Sequence, residues 1–179
     1  MSAIAIRDWQ QSDDVALLKI LREQMAEDPA WPPEYAHRLN LSDWLAGSAD
    51  LGRWVVLGDQ QVVGHIGLGA IQGRVAEVFS KATGLPGDRF AELCRTVVDP
   101  NKRGLGLASA LTRQALKSAL RSGRIPVATV LTGRGAWLDM MLRTGWQQVG
   151  ELEAKAPNER LVLLLAPEKF VVSPEHDGR

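Results

Sequence analysis

The sequence predicts a mixed α/β fold, and two observations lead to this prediction. An apolar, β-branched run from Phe90 to Val98 has the composition of a strand, and Asp99-Pro100 ends it. Apolar residues then recur every four positions, which is the spacing of one face of a helix. This face consists of Leu107, Leu111, Ala115 and Ala119. The chain therefore contains a strand, a loop and a long amphipathic helix in succession.

The other elements follow from the same patterns and from turn residues. The Gly58-Asp59 pair between two strand-like runs predicts a β-hairpin. The predicted strands are Ala3–Trp9, Gly52–Leu57, Gln61–Ile71, Phe90–Val98, Pro126–Leu131, a run from Trp146 to Val149, and Arg160–Ala166. The predicted helices begin at Ser12-Asp13-Asp14 and at Tyr35, lie within Gln72–Gly87 and after Gly106, and span Arg134–Thr144.

Three glycines lie inside the second strand of the predicted hairpin: Gly64, Gly67 and Gly69. Glycines inside a strand indicate a bulge or a close approach of another backbone. His65 lies among them, and its ordinary pKa of about 6.5 would suit a base near neutral pH. A purely structural histidine is the alternative.

Composition restricts the class of protein. The chain has 179 residues, 45% of them hydrophobic, which is compatible with one domain and a buried core. We expect that domain to cover residues 1–167, with a polar tail at 168–179. Acidic and basic residues balance at 21 each, so charge does not favour nucleic acid or an anionic membrane. The single cysteine, Cys94, excludes an internal disulfide. We expect a soluble, cytoplasmic protein.

The loop from Arg103 to Ala108 has the features of an anion-binding site. Gly104 and Gly106 lack a Cβ atom, so a ligand can approach the backbone closely. The first amides of the following helix have no partner within the helix, and they lie at the positive end of its dipole. A phosphate group suits such a position, and Arg103 would add a charge-assisted contact. The alternative is a tight turn that needs glycine for packing alone.

Two well-known phosphate-binding motifs are not present. No run in the sequence has the Walker A pattern of glycine, four residues, and then Gly-Lys-Ser/Thr. A dinucleotide-binding fingerprint requires a third glycine, but Ser109 occupies that position. The sequence therefore does not favour a phosphate-binding protein of either kind, although another phosphate-loop class stays open.

The spacing of Arg103, Gly106 and Ala108 resembles the acyl-CoA pyrophosphate loop of the GNAT superfamily of N-acyltransferases. Val98-Asp99-Pro100 before the loop and the leucine-rich helix after it are similar to the central motif of that family. The segment from Met141 to Trp146 resembles its later tyrosine and Gly-Phe motif. The order of elements fits the family from Ala3 to Pro167.

This resemblance implies a mostly antiparallel sheet of six to seven strands, flanked by about four helices and splayed at the acyl-CoA site. It also implies acetyl-CoA as cosubstrate and an amine of a small molecule or protein as acceptor. The pantetheine would contact the backbone of Val97 and Val98. The pyrophosphate would contact Arg103, Gly104, Leu105, Gly106, Leu107, Ala108 and Ser109. We expect no metal, no nucleic acid and no membrane partner, and a homodimer stays open.

Glu92 is the candidate general base. It lies among Phe90, Ala91 and Leu93, and burial would raise the pKa of its carboxyl group towards neutrality. Residues 90–93 also resemble the strand that carries the catalytic glutamate in histone-type acetyltransferases. Glu92, Cys94 and Thr96 would share a face of the strand if no bulge intervenes. The alternative is a glutamate on a solvated edge or one paired with an arginine.

Several other residues are candidates for ligand contacts. Trp31, Tyr35 and His65 are expected near the acceptor, and Arg134 near the CoA phosphates or simply in solvent. Met141 stands where many relatives have a tyrosine that can protonate the leaving thiolate, and methionine has no proton to donate. This departure supports a second hypothesis, a non-catalytic acyl-CoA-binding or interaction module on the same fold.

Overall fold

The structure is a computed structural model, and it describes residues 4–27, 41–47, 49–133, 135–154 and 159–167. Within these residues it contains the predicted mixture of strands and helices. The strands are β1 (Ala5–Asp8), β2 (Gly52–Gly58), β3 (Gln61–Gly69), β4 (Phe90–Val98), β5 (Ile125–Leu131), β6 (Gln147–Glu153) and β7 (Arg160–Leu165). The helices are α1 (Asp14–Glu27), α2 (Leu41–Ala46), α3 (Gly73–Thr83), α4 (Leu107–Arg121) and α5 (Gly135–Arg143).

The seven strands form one sheet in the order β1-β2-β3-β4-β5-β7-β6. The pairs β1–β2, β2–β3, β5–β7 and β6–β7 are antiparallel. An open, mostly antiparallel sheet of this size confirms the predicted fold class. The described residues contain five α-helices, one more than the four or so that the family resemblance implied.

Two compact units make up the chain: residues 1–70 with 93–118, and residues 71–92 with 119–179. In the first unit, α1 packs on β3, and the core of this unit contains Leu17, Leu21, Trp44, Val55 and Val97. In the second unit, the core contains Ile71, Phe79, Phe90, Val127 and Leu163. The expectation of one domain over residues 1–167 stays a prediction.

The beginning of α1 is fixed by a partly buried ion pair. Asp13 precedes the helix and is only 5% exposed, and both of its carboxylate oxygens accept hydrogen bonds of 2.7 Å from Arg7 on β1. The Arg7 guanidinium holds the pKa of Asp13 below its ordinary value. The main-chain N–H of Gln10 also donates to Asp13. The acidic start that the sequence indicates therefore joins β1 to α1.

The hairpin turn lies one residue later than predicted. Asp59 and Gln60 both have positive φ angles, of 52° and 64°, and they occupy the two central positions between β2 and β3. Two left-handed residues are typical of the turn whose twist matches a two-residue hairpin.

Strand β4 contains a kink at Arg95, where φ is +52°. A left-handed residue inside a strand is typical of a β-bulge and interrupts the regular alternation of sides. The condition for Glu92 and Thr96 to share a face is therefore not met. The Arg95 guanidinium donates from Nε to the carbonyl oxygen of Trp44 in α2 and lies 5.7 Å from the centre of the Trp44 ring. The kink and α2 are thus joined within the first unit.

The left-handed backbone at position 95 predicts a difference between two substitutions. Arg95→Ala and Arg95→Gly both remove the guanidinium, but only alanine keeps the strain of a Cβ atom at positive φ. We expect the glycine variant to be more stable by about 1 kcal/mol in its free energy of unfolding. Urea unfolding followed by circular dichroism measures this difference. If the alanine variant is equally stable or more stable, position 95 does not adopt this conformation.

Candidate active site

The loop between β4 and α4 has the backbone that its glycines permit. Gly104 and Gly106 have φ angles of +79° and +75°, which side-chain-bearing residues rarely adopt. A Cβ atom placed on either glycine would meet no other atom within 4 Å. The described residues therefore offer no packing contact that would require glycine here. The glycines serve the conformation of the loop and leave open space beside it.

Main-chain donors in this loop are available to a ligand. Arg103 donates its N–H to Pro100 at 3.4 Å, and Ala110 donates to Gly106 at 3.0 Å. Between these two residues, no N–H from Gly104 to Ser109 finds an acceptor among the described residues. Three of the six belong to the first turn of α4, where the helix dipole is positive. This arrangement fits an anion with several oxygen atoms.

Helix α4 gives the loop a rigid base. Leu107 is 4% exposed, and Leu111 and Ala115 are fully buried, as the four-residue spacing predicted. The loop itself is exposed, and the side chain of Leu105 is 61% exposed. Before the loop, Val97 is buried and Val98 is half-buried. The predicted CoA-contacting residues from Val97 to Ser109 therefore form one continuous, anchored segment of the first unit.

Arg103 is paired with an acid from α1. Its Nη1 lies 3.1 Å from Oε2 of Glu27, and both side chains are about half exposed. An exposed ion pair of this kind contributes little, about 0–1 kcal/mol, because water screens both charges. A phosphate can therefore replace Glu27 as the partner of Arg103 at little cost in free energy.

Glu92 lies in β4 within the second unit and is half-buried. The hydroxyl group of Thr129 on β5 donates a hydrogen bond to its Oε1 atom. This contact fixes the orientation of one carboxylate oxygen and stabilises the charged form of the carboxylate. A half-buried, oriented carboxylate is compatible with the role of general base.

His65 lies in the interior, with 1% of its surface exposed, and not at an open surface. Its Nδ1 atom is 3.0 Å from the carbonyl oxygen of Arg95. The pKa of His65 is lowered to about 4, mainly by burial, and the positive charges of Arg53 and Arg95 act in the same direction. Its bond to Arg95 and the charge of Asp14 oppose this shift in pKa. The imidazole is therefore neutral at physiological pH. A contact between His65 and the acceptor stays a prediction that this burial does not favour.

Three predicted residues, Trp31, Tyr35 and Arg134, lie outside the described residues. Met141 is described, is 1% exposed, and lies in the core, where its carbonyl oxygen accepts from the N–H of Trp146 at 3.1 Å. The side chain at this position therefore packs and offers no proton.

The described residues give no support to two other kinds of site. They contain no cluster of three or more His, Cys, Asp or Glu side chains that could bind a metal ion. Among the helices in this part of the chain, none is long and apolar enough to cross a membrane.

A family model described as "Acetyltransferase (GNAT) family" matches residues 14–137, which is more than half of the chain. The chain belongs to the GNAT family. This family transfers an acyl group from acetyl-CoA, so the protein is an N-acetyltransferase by family and acetyl-CoA is its cosubstrate. No curated protein matches this GNAT chain.

Solved structures share the fold of this GNAT chain at low sequence identity. One is YncA from Salmonella typhimurium with its cofactor acetyl-CoA, at 18% identity and a TM-score of 0.62, covering 98% of this chain and 97% of that one. Another is the ribosomal-protein-S18-alanine N-acetyltransferase from Escherichia coli, at 12% identity and a TM-score of 0.67, covering 99% of each chain. The ribosomal-protein-alanine N-acetyltransferase from Brucella melitensis has 20% identity and a TM-score of 0.62, covering 91% of this chain and 99% of that one.

The structure also brings forward residues that the sequence did not single out. Thr129 bonds to Glu92 across 37 positions of sequence, Glu27 pairs with Arg103 across 76, and Arg95 bonds to Trp44 across 51. No local pattern encodes such contacts, because each depends on how distant elements pair. Only the glycines around His65 gave a signal, since they indicated a bulge or a close approach of backbone.

The buried neutral histidine predicts a pH dependence of stability. The pKa of His65 is about 6.5 when unfolded and about 4 when folded, so the unfolded chain binds the proton more tightly. The stabilisation is complete above pH 6.5 and is lost as the pH falls to 4, by roughly 3 kcal/mol in all. Denaturant unfolding at several pH values measures this loss. His65→Asn should lose less stability over this window, and an identical pH dependence in both proteins would contradict the assignment.

Proposed function

We propose that this protein transfers the acetyl group of acetyl-CoA directly to a primary amine of a small molecule or protein. The observation that carries the proposal is the row of main-chain donors from Gly104 to Ser109, which have no acceptor among the described residues. A diphosphate supplies oxygen atoms for several of them at once, next to the positive end of α4. The family assignment supports the same ligand.

The chain's own residues suggest how acetyl-CoA is held. The amides from Gly104 to Ser109 bind the pyrophosphate, and Arg103 exchanges Glu27 for a phosphate oxygen. The main chain of Val97 and Val98 binds the pantetheine amides, and Arg134 is a further candidate for a phosphate contact. Holding the thioester and the amine together supplies much of the rate, because the reaction then needs no chance encounter.

Glu92 acts as the base, either directly or through one water molecule. It accepts a proton from the ammonium group of the acceptor, and Thr129 keeps its carboxylate oriented for this step. The neutral amine then forms a bond to the thioester carbonyl carbon, the carbon–sulfur bond breaks, and the nitrogen gives its second proton to solvent water. A main-chain N–H near Val98 stabilises the charge on the carbonyl oxygen. The thiolate leaves and takes its proton from water or another group, because Met141 has none.

We place the acceptor beside Trp31 and Tyr35, in the segment between α1 and α2 that the resemblance implies for this role. We also propose the cytoplasm as the location, since the balanced charge and the single cysteine agree with it. The acceptors named for the ribosomal-protein N-acetyltransferases of similar fold are compatible with a protein amine.

A non-catalytic acyl-CoA-binding module is the second candidate, and the burial of Met141 favours it. Both candidates bind acetyl-CoA, so calorimetry does not separate them. Thiol release from acetyl-CoA, measured across a panel of primary amines, separates the two candidates. Release above the hydrolysis background with any amine supports the enzyme, and background rates with every amine support the binding module.

Gly106→Trp should abolish acetyl-CoA binding, because an indole would fill the space in which the diphosphate lies. Isothermal titration calorimetry measures the affinity. Gly123→Trp is the matched control, since Gly123 has a similar φ of +69° and its Cβ would also meet nothing within 4 Å. The control should fold with equal strain and still bind. Unchanged affinity in Gly106→Trp would overturn the placement of the diphosphate.

Glu92→Gln should lower kcat/KM by about a hundredfold without weakening acetyl-CoA binding, because the amide group cannot take the proton. Thr129→Val keeps the carboxylate and removes only the hydroxyl donor. It should lower kcat while leaving acetyl-CoA binding unchanged, since the carboxylate loses the hydrogen bond that orients it. A wild-type rate that stays constant from about pH 6 to 9, the range of a tuned base, would remove Glu92 from the mechanism.

A further inference from the structure

We propose that His65 is a positioning residue that holds the kink of β4 and thereby sets the main chain of Val97 and Val98. The kink itself is the left-handed backbone of Arg95. The functional half of this inference rests on the proposed function, because it concerns the backbone that binds pantetheine. The structural half, that His65 maintains the kink, is independent of any ligand.

The first step is the hydrogen bond at the kink. A carbonyl oxygen only accepts, so the Nδ1 atom of His65, 3.0 Å from the Arg95 carbonyl, carries the proton. His65 is 1% exposed, which leaves water little access to replace this donor. This hydrogen bond engages the carbonyl of the left-handed residue itself, so it favours the kinked backbone over a regular strand.

The glycines on either side of His65 admit the kinked strand. A Cβ atom on Gly64 would lie 2.8 Å from the carbonyl oxygen of Val97. A Cβ atom on Gly67 would lie 2.7 Å from the Cβ of Ala49 and 3.1 Å from Sγ of Cys94. Side chains are therefore excluded at both positions. The segment from Gly64 to Gly67 therefore lies close to β4 on both sides of Arg95, at Cys94 and at Val97.

A second contact to β3 lies on the far side of the two valines. The N–H of Asp99 donates to the carbonyl oxygen of Val63 at 2.9 Å. His65 and Val63 thus fix β4 at Arg95 and at Asp99, and Val97 and Val98 lie between these two points. We expect these two contacts with β3 to fix the direction of the valine N–H groups.

The side chain of Arg95 adds a third restraint. Its guanidinium donates to the carbonyl oxygen of Trp44, and a Cβ atom on Gly47 would lie 2.8 Å from its Nη2 atom. This contact engages the side chain of Arg95, whereas His65 engages its main-chain carbonyl. The neutral form of His65, favoured by its low pKa, keeps one nitrogen protonated and avoids a third positive charge beside Arg53 and Arg95.

Two variants separate the hydrogen bond from the shape of the side chain. His65→Asn places an amide nitrogen close to the position of Nδ1, whereas His65→Leu has the same branching and no donor. Both lose the ring, so their difference reports the donor to Arg95. We expect His65→Leu to bind acetyl-CoA about tenfold more weakly than His65→Asn, because the leucine variant lacks the hydrogen bond from position 65 that holds the kink.

Hydrogen–deuterium exchange of residues 93–99 tests the kink without any ligand. The leucine variant should exchange faster than the asparagine variant in this segment and equally in β6 and β7. If the leucine variant does not fold, the protonation of the ring nitrogens in wild-type His65 still tests the proposal. Their NMR chemical shifts should report a proton on Nδ1 at pH 7, and a proton on Nε2 alone would overturn the proposal.

The outcomes distinguish the two halves of the inference. If the asparagine variant exchanges more slowly and binds acetyl-CoA more tightly than the leucine variant, both halves of the inference are supported. Equal exchange in the two variants overturns the role of His65, whatever the affinities. A difference in exchange with equal affinities overturns the link to Val97 and Val98. Wild-type protein that does not bind acetyl-CoA contradicts the proposed function, while the exchange comparison still tests the kink.

Discussion

The hydrogen bond from His65 to the carbonyl of Arg95 is the contact on which the first unit's candidate site depends. Left-handed backbone at an arginine is unfavourable by about 1–2 kcal/mol, so it persists only where surrounding contacts hold it. The structure supplies them from two elements, His65 on β3 and the Trp44 carbonyl in α2. A strand with this fixed irregularity leads directly into the glycine loop.

The main-chain donors of the glycine loop result from the start of α4 and from the two left-handed glycines. A helix cannot satisfy its own first amides, and the left-handed Gly104 and Gly106 extend this row of donors by three residues before α4 begins. The buried face of α4 anchors the row, so little order has to be gained when an anion binds. Preorganised donors of this kind favour affinity for a diphosphate, and the exposed Arg103–Glu27 pair presents only a weak competitor.

The second unit contains Glu92 and Met141, the two described residues that bear on proton transfer in the proposed reaction. Glu92 is oriented by Thr129, which suits a base, whereas the buried Met141 offers no acid. Direct transfer tolerates this asymmetry, because a thiolate is a good leaving group and can be protonated by water after the carbon–sulfur bond breaks. The proposed mechanism therefore depends mainly on holding the two substrates together.

Local patterns predicted most of the elements. The strand from Phe90 to Val98 agrees with the structure at both ends, and the buried face of α4 contains the predicted residues. Turn residues were less reliable, since the hairpin turn at Asp59 and Gln60 lies one position beyond the expected pair. Hydrophobic periodicity depends only on neighbours in sequence, which is why it can be read from the sequence directly.

The sequence by itself determined the order of the elements, the glycine loop before α4, and the family to which these motifs point. Only the tertiary structure decided that β4 is kinked at Arg95, that His65 is buried against it, and that Thr129 and Glu27 contact Glu92 and Arg103. These contacts join residues 30 to 76 positions apart. Their geometry depends on how strands and helices pair across the fold, and no local preference of the chain specifies it.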